Sequence, residues 1–211
     1  MRWRLVPLAT LLGVLALTPA AWAGTPTDQL RSAVERAITV LEDPELKTPA
    51  RAEERQARIK AVADEIFNFK EVARRALGRH WRERTPAEQE EFTALFAELL
   101  ERTYLGRIDL YGGERAQYVS ETIEGDFATV GTKVLTKEGP EVPVDYRMLR
   151  NSGRWEVYDV VIEGISLVSN YRSQFNRIIQ ASSYEELAKK LKARTLELGA
   201  EGKEKPRPTG P

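Results

Sequence analysis

The side chains that most often carry out catalysis are scarce in this sequence. It contains one histidine, His80, and no cysteine, which excludes a Cys–His nucleophile pair and most zinc sites. A Ser-His-Asp triad would have to use His80, which lies in the basic run 79–82, and no Gly-x-Ser-x-Gly motif occurs. The sequence also has neither a P-loop nor a Gly-x-Gly-x-x-Gly segment. We therefore expect no metal, nucleotide cofactor or covalent intermediate.

One carboxylate lies in an unusual place, because Asp159 interrupts the otherwise apolar segment 155–162. A carboxylate that points inward needs a partner, such as a backbone amide, an arginine or the start of a helix near Ser166. In a cleft, the same carboxylate could act as a general base, which makes a small hydrolase or isomerase using Asp159 an alternative function. We favour the structural role.

The first 23 residues have the pattern of a cleaved export signal. Arg2 and Arg4 precede the apolar run Leu5–Leu17, and Ala21-Trp22-Ala23 is an A-x-A cleavage signal. The apolar run has about 13 residues, whereas a helix needs roughly 20 to cross a bilayer. No cysteine follows that could carry the acyl chains of a bacterial lipoprotein. We expect residues 1–23 to be removed and the exported protein to diffuse without a membrane anchor.

The composition indicates a globular protein without a nucleic-acid partner. Lys and Arg together number 32, as do Asp and Glu, so no basic excess is present to bind nucleic acid or an anionic membrane. Hydrophobic residues make up 42% of the chain, enough for a sizeable core, and no disulfide can support it. We expect a single domain over residues 24–198. The tail 199–211 is rich in Pro and Gly, and we expect it to be disordered.

Apolar residues at three- and four-residue steps predict helices in the first half of the chain and again near its end. Thr27 or Asp28 is the expected cap of the first helix, and Asn68, Thr85, Ser166 and either Ser182 or Ser183 are expected to cap later ones. The predicted helical stretches are 28–42, 50–67, 68–77, 86–104, 167–178 and 184–196.

From Gly112 onward the periodicity becomes twofold and predicts four strands, at 118–123, 127–136, 142–149 and 155–162. Short turn segments join them, which predicts an antiparallel meander. In the third strand one face is apolar and the other largely polar, whereas both faces of the fourth are apolar, which predicts cover on both sides. The expected fold class is α+β, with the N-terminal helices packed on one face of a curved four-stranded sheet that C-terminal helices close.

Two parts of the chain resemble a known family. The segment 155–168, followed by 170–175, resembles the strand-to-helix signature of the MlaC-type proteins. The segments 77–81 and 85–92 resemble the central helical region of the same family. These proteins are the periplasmic phospholipid carriers of toluene-tolerance and lipid-asymmetry ABC transport systems, and the resemblance spans roughly residues 28–196.

The resemblance implies a fold related to the nuclear-transport-factor-like cone, in which a pocket between sheet and helices holds the acyl chains of a phospholipid. It implies a periplasmic location, no catalytic residues and no cofactor other than the lipid cargo. It also implies two partners, an inner-membrane ABC transporter with a ring of substrate-binding subunits and an outer-membrane lipoprotein–porin complex. We expect the carrier to be a monomer.

Apolar residues on the sheet and on the helices that cover it are the candidates for the pocket wall. A filled core would give the same periodicity, so an exported adaptor protein without a pocket is a further alternative. Met148 fits a pocket well, because its flexible thioether adapts to chains of differing length. The candidate lipid-binding residues are Tyr104, Val130, Val134, Val144, Tyr146, Met148, Trp155, Val157 and Phe175.

Two truncations test where the folded part of the chain ends. Segment 199–211 has no apolar periodicity to offset the ~1–2 kcal/mol that ordering each residue costs, so deletion after Leu198 should leave the melting temperature and bound lipid unchanged. Truncation before Ser182 removes Leu187 and Leu191, which we expect to cover the core, and should lower both. Equal behaviour of the two variants would contradict these boundaries.

Overall fold

The computed structural model describes residues 24–105, 111–135 and 139–193. The predicted export signal and the predicted tail lie outside the described residues. The described helices are α1 (Pro26–Glu42), α2 (Ala52–Ile66), α3 (Phe69–Leu77), α4 (Pro86–Leu105), α5 (Leu167–Ala181) and α6 (Tyr184–Lys192). The strands are β1 (Arg115–Glu124), β2 (Phe127–Leu135), β3 (Val142–Asn151), β4 (Arg154–Ile162) and β5 (Ile165–Ser166). Short 3₁₀ turns, Pro49–Arg51 and Gly78–Glu83, precede α2 and follow α3.

Side-chain caps fix where the helices begin. The predicted caps Asn68, Thr85, Ser166 and Ser183 are confirmed, since each side-chain oxygen accepts a hydrogen bond from the backbone amide three residues later. The prediction for α1 was wrong by a few residues. Its cap is Thr25, which forms a capping box with Asp28, because Pro26 occupies the first helical position.

The sheet is an antiparallel meander in the order β1-β2-β3-β4-β5. The predicted α+β class and the four long strands are confirmed, and the structure adds β5, which pairs with the end of β4. A two-residue strand is too short to show a sequence period, so periodicity could not predict it. The amide of Asn68 also donates to the carbonyl of Val157 at 2.9 Å, and this contact ties the start of α3 to β4.

Each of two strands carries one extra residue. In β1 the register shifts between Tyr118 and Ser120, which leaves Val119 unpaired and 51% exposed. In β4, Tyr158 is the extra residue, because Met148 pairs with Val157 whereas Tyr146 pairs with Val160. Burial still alternates regularly along β4, since residues 155, 157, 159 and 161 are buried and the residues between them are half-buried. No residue of β4 between 155 and 161 is exposed, as predicted for a strand covered on both sides.

The buried side chains form two clusters. We call the first the helical cluster: it joins α3, α4, α5 and α6 around Phe92, Phe96 and Phe175, whose ring centroids lie 5.1–6.0 Å apart. The second, the sheet cluster, packs Leu30 of α1 and Ile66 of α2 against β2, β3 and β4. Each cluster is built mainly from its own elements, which leaves room for a space between them.

Helix α6 belongs to the helical cluster through four side chains that are almost fully buried, Tyr184, Leu187, Ala188 and Leu191. These contacts are the physical basis for the expected effect of truncation before Ser182, which stays a prediction. No helix in the described ranges combines the length and apolar character of a membrane-crossing segment.

Candidate binding cavity

A cavity of about 370 Å³ lies between the helices and the sheet. Protein interiors are packed so closely that voids much larger than a water molecule are few. A space of this size is therefore a feature of the fold and not an ordinary packing defect. Its apolar wall residues are Leu30, Ala33, Val34, Ala37, Ile59, Val62, Ala63, Ile66, Phe67, Phe69, Val72, Ala97, Leu100, Leu105, Val160, Ile162, Leu167 and Val168.

Small side chains on three helices keep the cavity open. Helix α1 presents Ala33 and Ala37 to the cavity, α2 presents Ala63, and α4 presents Ala97. Positions three and four residues apart lie on one side of a helix, so each helix turns a single apolar stripe toward the space. Alanine at these positions shields the cavity from water without filling it, which gives a binding surface for hydrocarbon.

Three tyrosines, Tyr104, Tyr146 and Tyr158, add hydroxyl groups to the wall. Burial raises the pKa of Tyr146 above its usual range, so its phenol stays neutral at physiological pH. Burial also raises the pKa of the nearby Tyr118 to about 12. The Tyr118 hydroxyl is buried and finds no hydrogen-bond partner among the described residues, while the Arg31 guanidinium lies over its ring at 4.6 Å.

Charge is concentrated at the edge of the cavity. Lys60 and Asp64 of α2 and Glu101 of α4 are lining residues, and their side chains are 43%, 48% and 41% exposed. Apart from Ile162, the apolar wall is buried or half-buried, whereas these three charged side chains reach solvent together. They therefore mark a mouth of the cavity between α2 and α4. The Lys60 Nζ atom lies 2.8 Å from Asp64 Oδ2 and 3.9 Å from Glu101 Oε2.

Asp159 is the remaining charged lining residue among those that the structure describes, and it is only 4% exposed. Its Oδ1 accepts the backbone amide of Val168 at 3.0 Å, and its Oδ2 accepts the Ser166 hydroxyl at 2.7 Å. Arg147 donates to the same Oδ2 at 3.1 Å. Both oxygens are thus engaged at the first turn of α5, where a carboxylate also interacts favourably with the helix dipole. This arrangement anchors α5 to β4.

The structure brings two of the nine candidate lipid-binding residues, Tyr104 and Tyr146, onto the cavity wall. Contact of the other seven with a ligand stays a prediction. Four of them belong to the sheet cluster, which also contains the wall residues Leu30 and Ile66: Val130, Met148, Trp155 and Val157. Phe175 lies in the helical cluster, Val144 is buried on β3, and Val134 is half-buried near the end of β2.

Sequence reasoning missed the part of the wall that α1 and α2 supply. Their apolar stripes were recognised, but periodicity does not tell a stripe that faces a core from one that faces a cavity. The signal that could have separated them is residue size, since Ala33, Ala37, Ala63 and Ala97 all fall on cavity-facing positions. A stripe that fills a core more often carries larger side chains.

An apolar cavity that is closed by helices over an antiparallel sheet, with charge at its mouth, defines a binding protein for an amphiphilic ligand. The chain matches the model of the MlaC protein family over residues 31–193, and it belongs to this family.

Comparisons with individual proteins agree with the family assignment. The chain is 25% identical over 129 residues to the intermembrane phospholipid transport system binding protein MlaC of Haemophilus influenzae, covering 59% of this chain and 60% of the relative. It is 27% identical over 110 residues to the toluene tolerance protein ttg2D of Pseudomonas putida, covering 48% of each. The match thus spans less than two thirds of the length of either curated relative.

A solved structure extends the comparison over most of the fold. The phospholipid-binding protein of Ralstonia solanacearum, solved in complex with a phospholipid, superimposes with a TM-score of 0.70 at 25% identity. The superposition covers 81% of this chain and 97% of that protein.

Replacing Asp159 tests its structural role. Asp159→Ala leaves the buried Val168 amide without an acceptor and Arg147 without its partner, so we expect the free energy of unfolding in urea to fall by about 2–4 kcal/mol. The matched control is Glu141→Ala, which removes a 52% exposed carboxylate paired with Lys133 at 2.7 Å and should cost less than about 1 kcal/mol. Similar losses for both variants would show that Asp159 does not anchor α5.

Proposed function

We propose that this protein is a periplasmic phospholipid carrier that holds the acyl chains of its cargo in the cavity and leaves the headgroup at the mouth. The observation that carries the proposal is the cavity of about 370 Å³, which has an apolar wall and three charged side chains where it meets solvent. The match of nearly the whole described fold to a protein solved with a bound phospholipid supports the same ligand class.

Energetics explains why such a carrier needs a shielded cavity. Two acyl chains of ~16 carbons each would cost about 25 kcal/mol if exposed to water, at ~0.8 kcal/mol per methylene. Unshielded transit between membranes is therefore negligible. In a bilayer the same chains are in equally apolar surroundings, so transfer into the cavity has a free energy near zero. Neither loading nor unloading is then strongly uphill in free energy, and small differences at the two ends decide the direction.

The family membership supports two docking partners. We propose that the carrier takes lipid from, or delivers it to, an inner-membrane ABC transporter with a ring of substrate-binding subunits, and that an outer-membrane lipoprotein–porin complex serves the other end. In this role it acts as a monomer and maintains outer-membrane lipid asymmetry, on which toluene tolerance depends. Because the carrier loads and releases lipid reversibly, these partner complexes set the direction of transport.

The proposed transport involves no chemical step and no cofactor apart from the lipid cargo. The carboxylate that could serve a hydrolase or isomerase, Asp159, has both oxygens occupied by protein donors. Within the described ranges, no three His, Cys, Asp or Glu side chains are grouped to hold a metal ion. Phospholipid transfer between donor and acceptor vesicles should accordingly proceed unchanged in EDTA.

Extraction of the purified protein with organic solvent, followed by mass spectrometry, tests the proposed ligand. We expect close to one phospholipid for each chain, because a cavity of about 370 Å³ has no room for a second lipid. Reproducible absence of phospholipid, with the protein folded by circular dichroism, would contradict the carrier function and favour an adaptor that only contacts other proteins.

A bulky substitution inside the cavity should reduce the bound lipid without unfolding the protein. Ala97→Trp places an indole ring in the space that the acyl chains would occupy, and we expect co-purified phospholipid to fall at least fivefold. The matched control is Ala94→Trp, which is one turn earlier on α4 at an exposed position that does not line the cavity. Undiminished lipid in a folded Ala97→Trp variant would place the ligand elsewhere.

A further inference from the structure

The three charged side chains at the cavity mouth form one connected group. Lys60 Nζ lies within 2.9 Å of both carboxylate oxygens of Asp64, which is one turn later on α2. Glu101 faces the same ammonium group from α4 at 3.9 Å, a distance that leaves it as a loosely held second carboxylate. All three residues line the cavity, and we call them the mouth triad.

We propose that the mouth triad binds the headgroup of a zwitterionic, amine-bearing phospholipid and disfavours anionic ones; this inference rests on the proposed carrier function. Lys60 pairs with the lipid phosphate, while Asp64 and Glu101 receive the lipid ammonium group. The triad thus provides a preference for one headgroup class, which the apolar wall of the cavity does not provide.

The charge balance of the triad supports this choice of ligand. One lysine and two carboxylates give the mouth a net charge of −1 before the lipid arrives. A zwitterionic headgroup adds one negative and one positive charge, so Lys60 can pair with the phosphate while the two carboxylates share the lipid ammonium group. An anionic headgroup with an uncharged alcohol adds only a negative charge beside the two carboxylates, and the resulting repulsion is not compensated.

The geometry permits the exchange of partners. Lys60 and Asp64 are four residues apart on the exposed side of a helix, where an ion pair contributes little to stability and is readily opened. Lysine is a compact charge on a flexible stem, so its ammonium can leave Asp64 for a phosphate without moving the backbone. Because Asp64 and Glu101 project from different helices, an amine that leaves the cavity between α2 and α4 meets a carboxylate on each side.

The expected discrimination is modest, because all three side chains are almost half exposed and solvent screens their charges. Interactions of exposed ion pairs correspond to a factor of about two to five in affinity. The protein should therefore bind both lipid classes and enrich the zwitterionic one by about this factor.

A competition experiment measures this preference directly. The purified protein is incubated with vesicles of equimolar phosphatidylethanolamine and phosphatidylglycerol at low ionic strength, recovered, and its bound lipid quantified by mass spectrometry. We expect about two- to fivefold enrichment of phosphatidylethanolamine. The double variant Asp64→Asn/Glu101→Gln keeps the size of both side chains but leaves Lys60 as the sole charge of the triad, and it should abolish or reverse the enrichment, which is measured as the ratio of the two bound lipids.

The matched control is Glu185→Gln/Glu186→Gln on α6, which changes the net charge of the protein equally but does not alter a lining residue. This control should keep the enrichment of the unaltered protein. If the unaltered protein binds the two lipids in the same proportions as the vesicle, the proposed headgroup preference is wrong but the carrier function is not. The same conclusion follows if the double variant binds the two lipids in the same ratio as the unaltered protein. Absence of any bound lipid would instead overturn the proposed carrier function.

Discussion

The fold depends on keeping two hydrophobic clusters apart. Burial of apolar surface favours collapse into one close-packed core, and an enclosed void of about 370 Å³ would cost roughly 9 kcal/mol at ~24 cal/mol per Å³. This is comparable with the whole stability of a typical domain. The protein reduces the cost in two ways. The cavity opens to solvent at its mouth, and each cluster buries its apolar side chains without needing contacts to the other. The helical cluster has its own aromatic centre, and the sheet cluster has α1 and α2 as its cover.

Few polar contacts join the two clusters, and their positions are informative. Asp159 connects β4 to the first turn of α5, and the Asn68 amide connects the start of α3 to β4. Both contacts lie on the last long strand, next to the bulge at Tyr158. Hydrogen bonds of this kind fix distance and orientation, whereas apolar contacts alone would allow the helices to slide into the cavity. The hydrogen bonds that β4 makes to the starts of α3 and α5 thus keep the cavity open.

Much of the architecture could be predicted from the sequence, because caps and periodicity are local. Asn68, Thr85 and Ser166 identify helix starts through a single side chain and its neighbours, and the strands follow from their alternation. The cavity is a different kind of feature, since it depends on which elements face each other. Nothing in the spacing of Val130, Val157 or Phe175 tells whether a ligand or another side chain covers them. The small side chain of Ala97 indicates a cavity only when it is already known that α4 faces the sheet.

The extra residue in β1 affects how the protein behaves among copies of itself. In the described part of the chain β1 pairs only with β2, so its outer edge offers unpaired backbone groups over ten residues. A straight, flat edge of this length would recruit strands from other molecules. The register shift at Val119 bends the edge, and charged residues such as Arg115, Glu121 and Glu124 line it. An irregularity that contributes nothing to the cavity thus discourages edge-to-edge aggregation at high concentration.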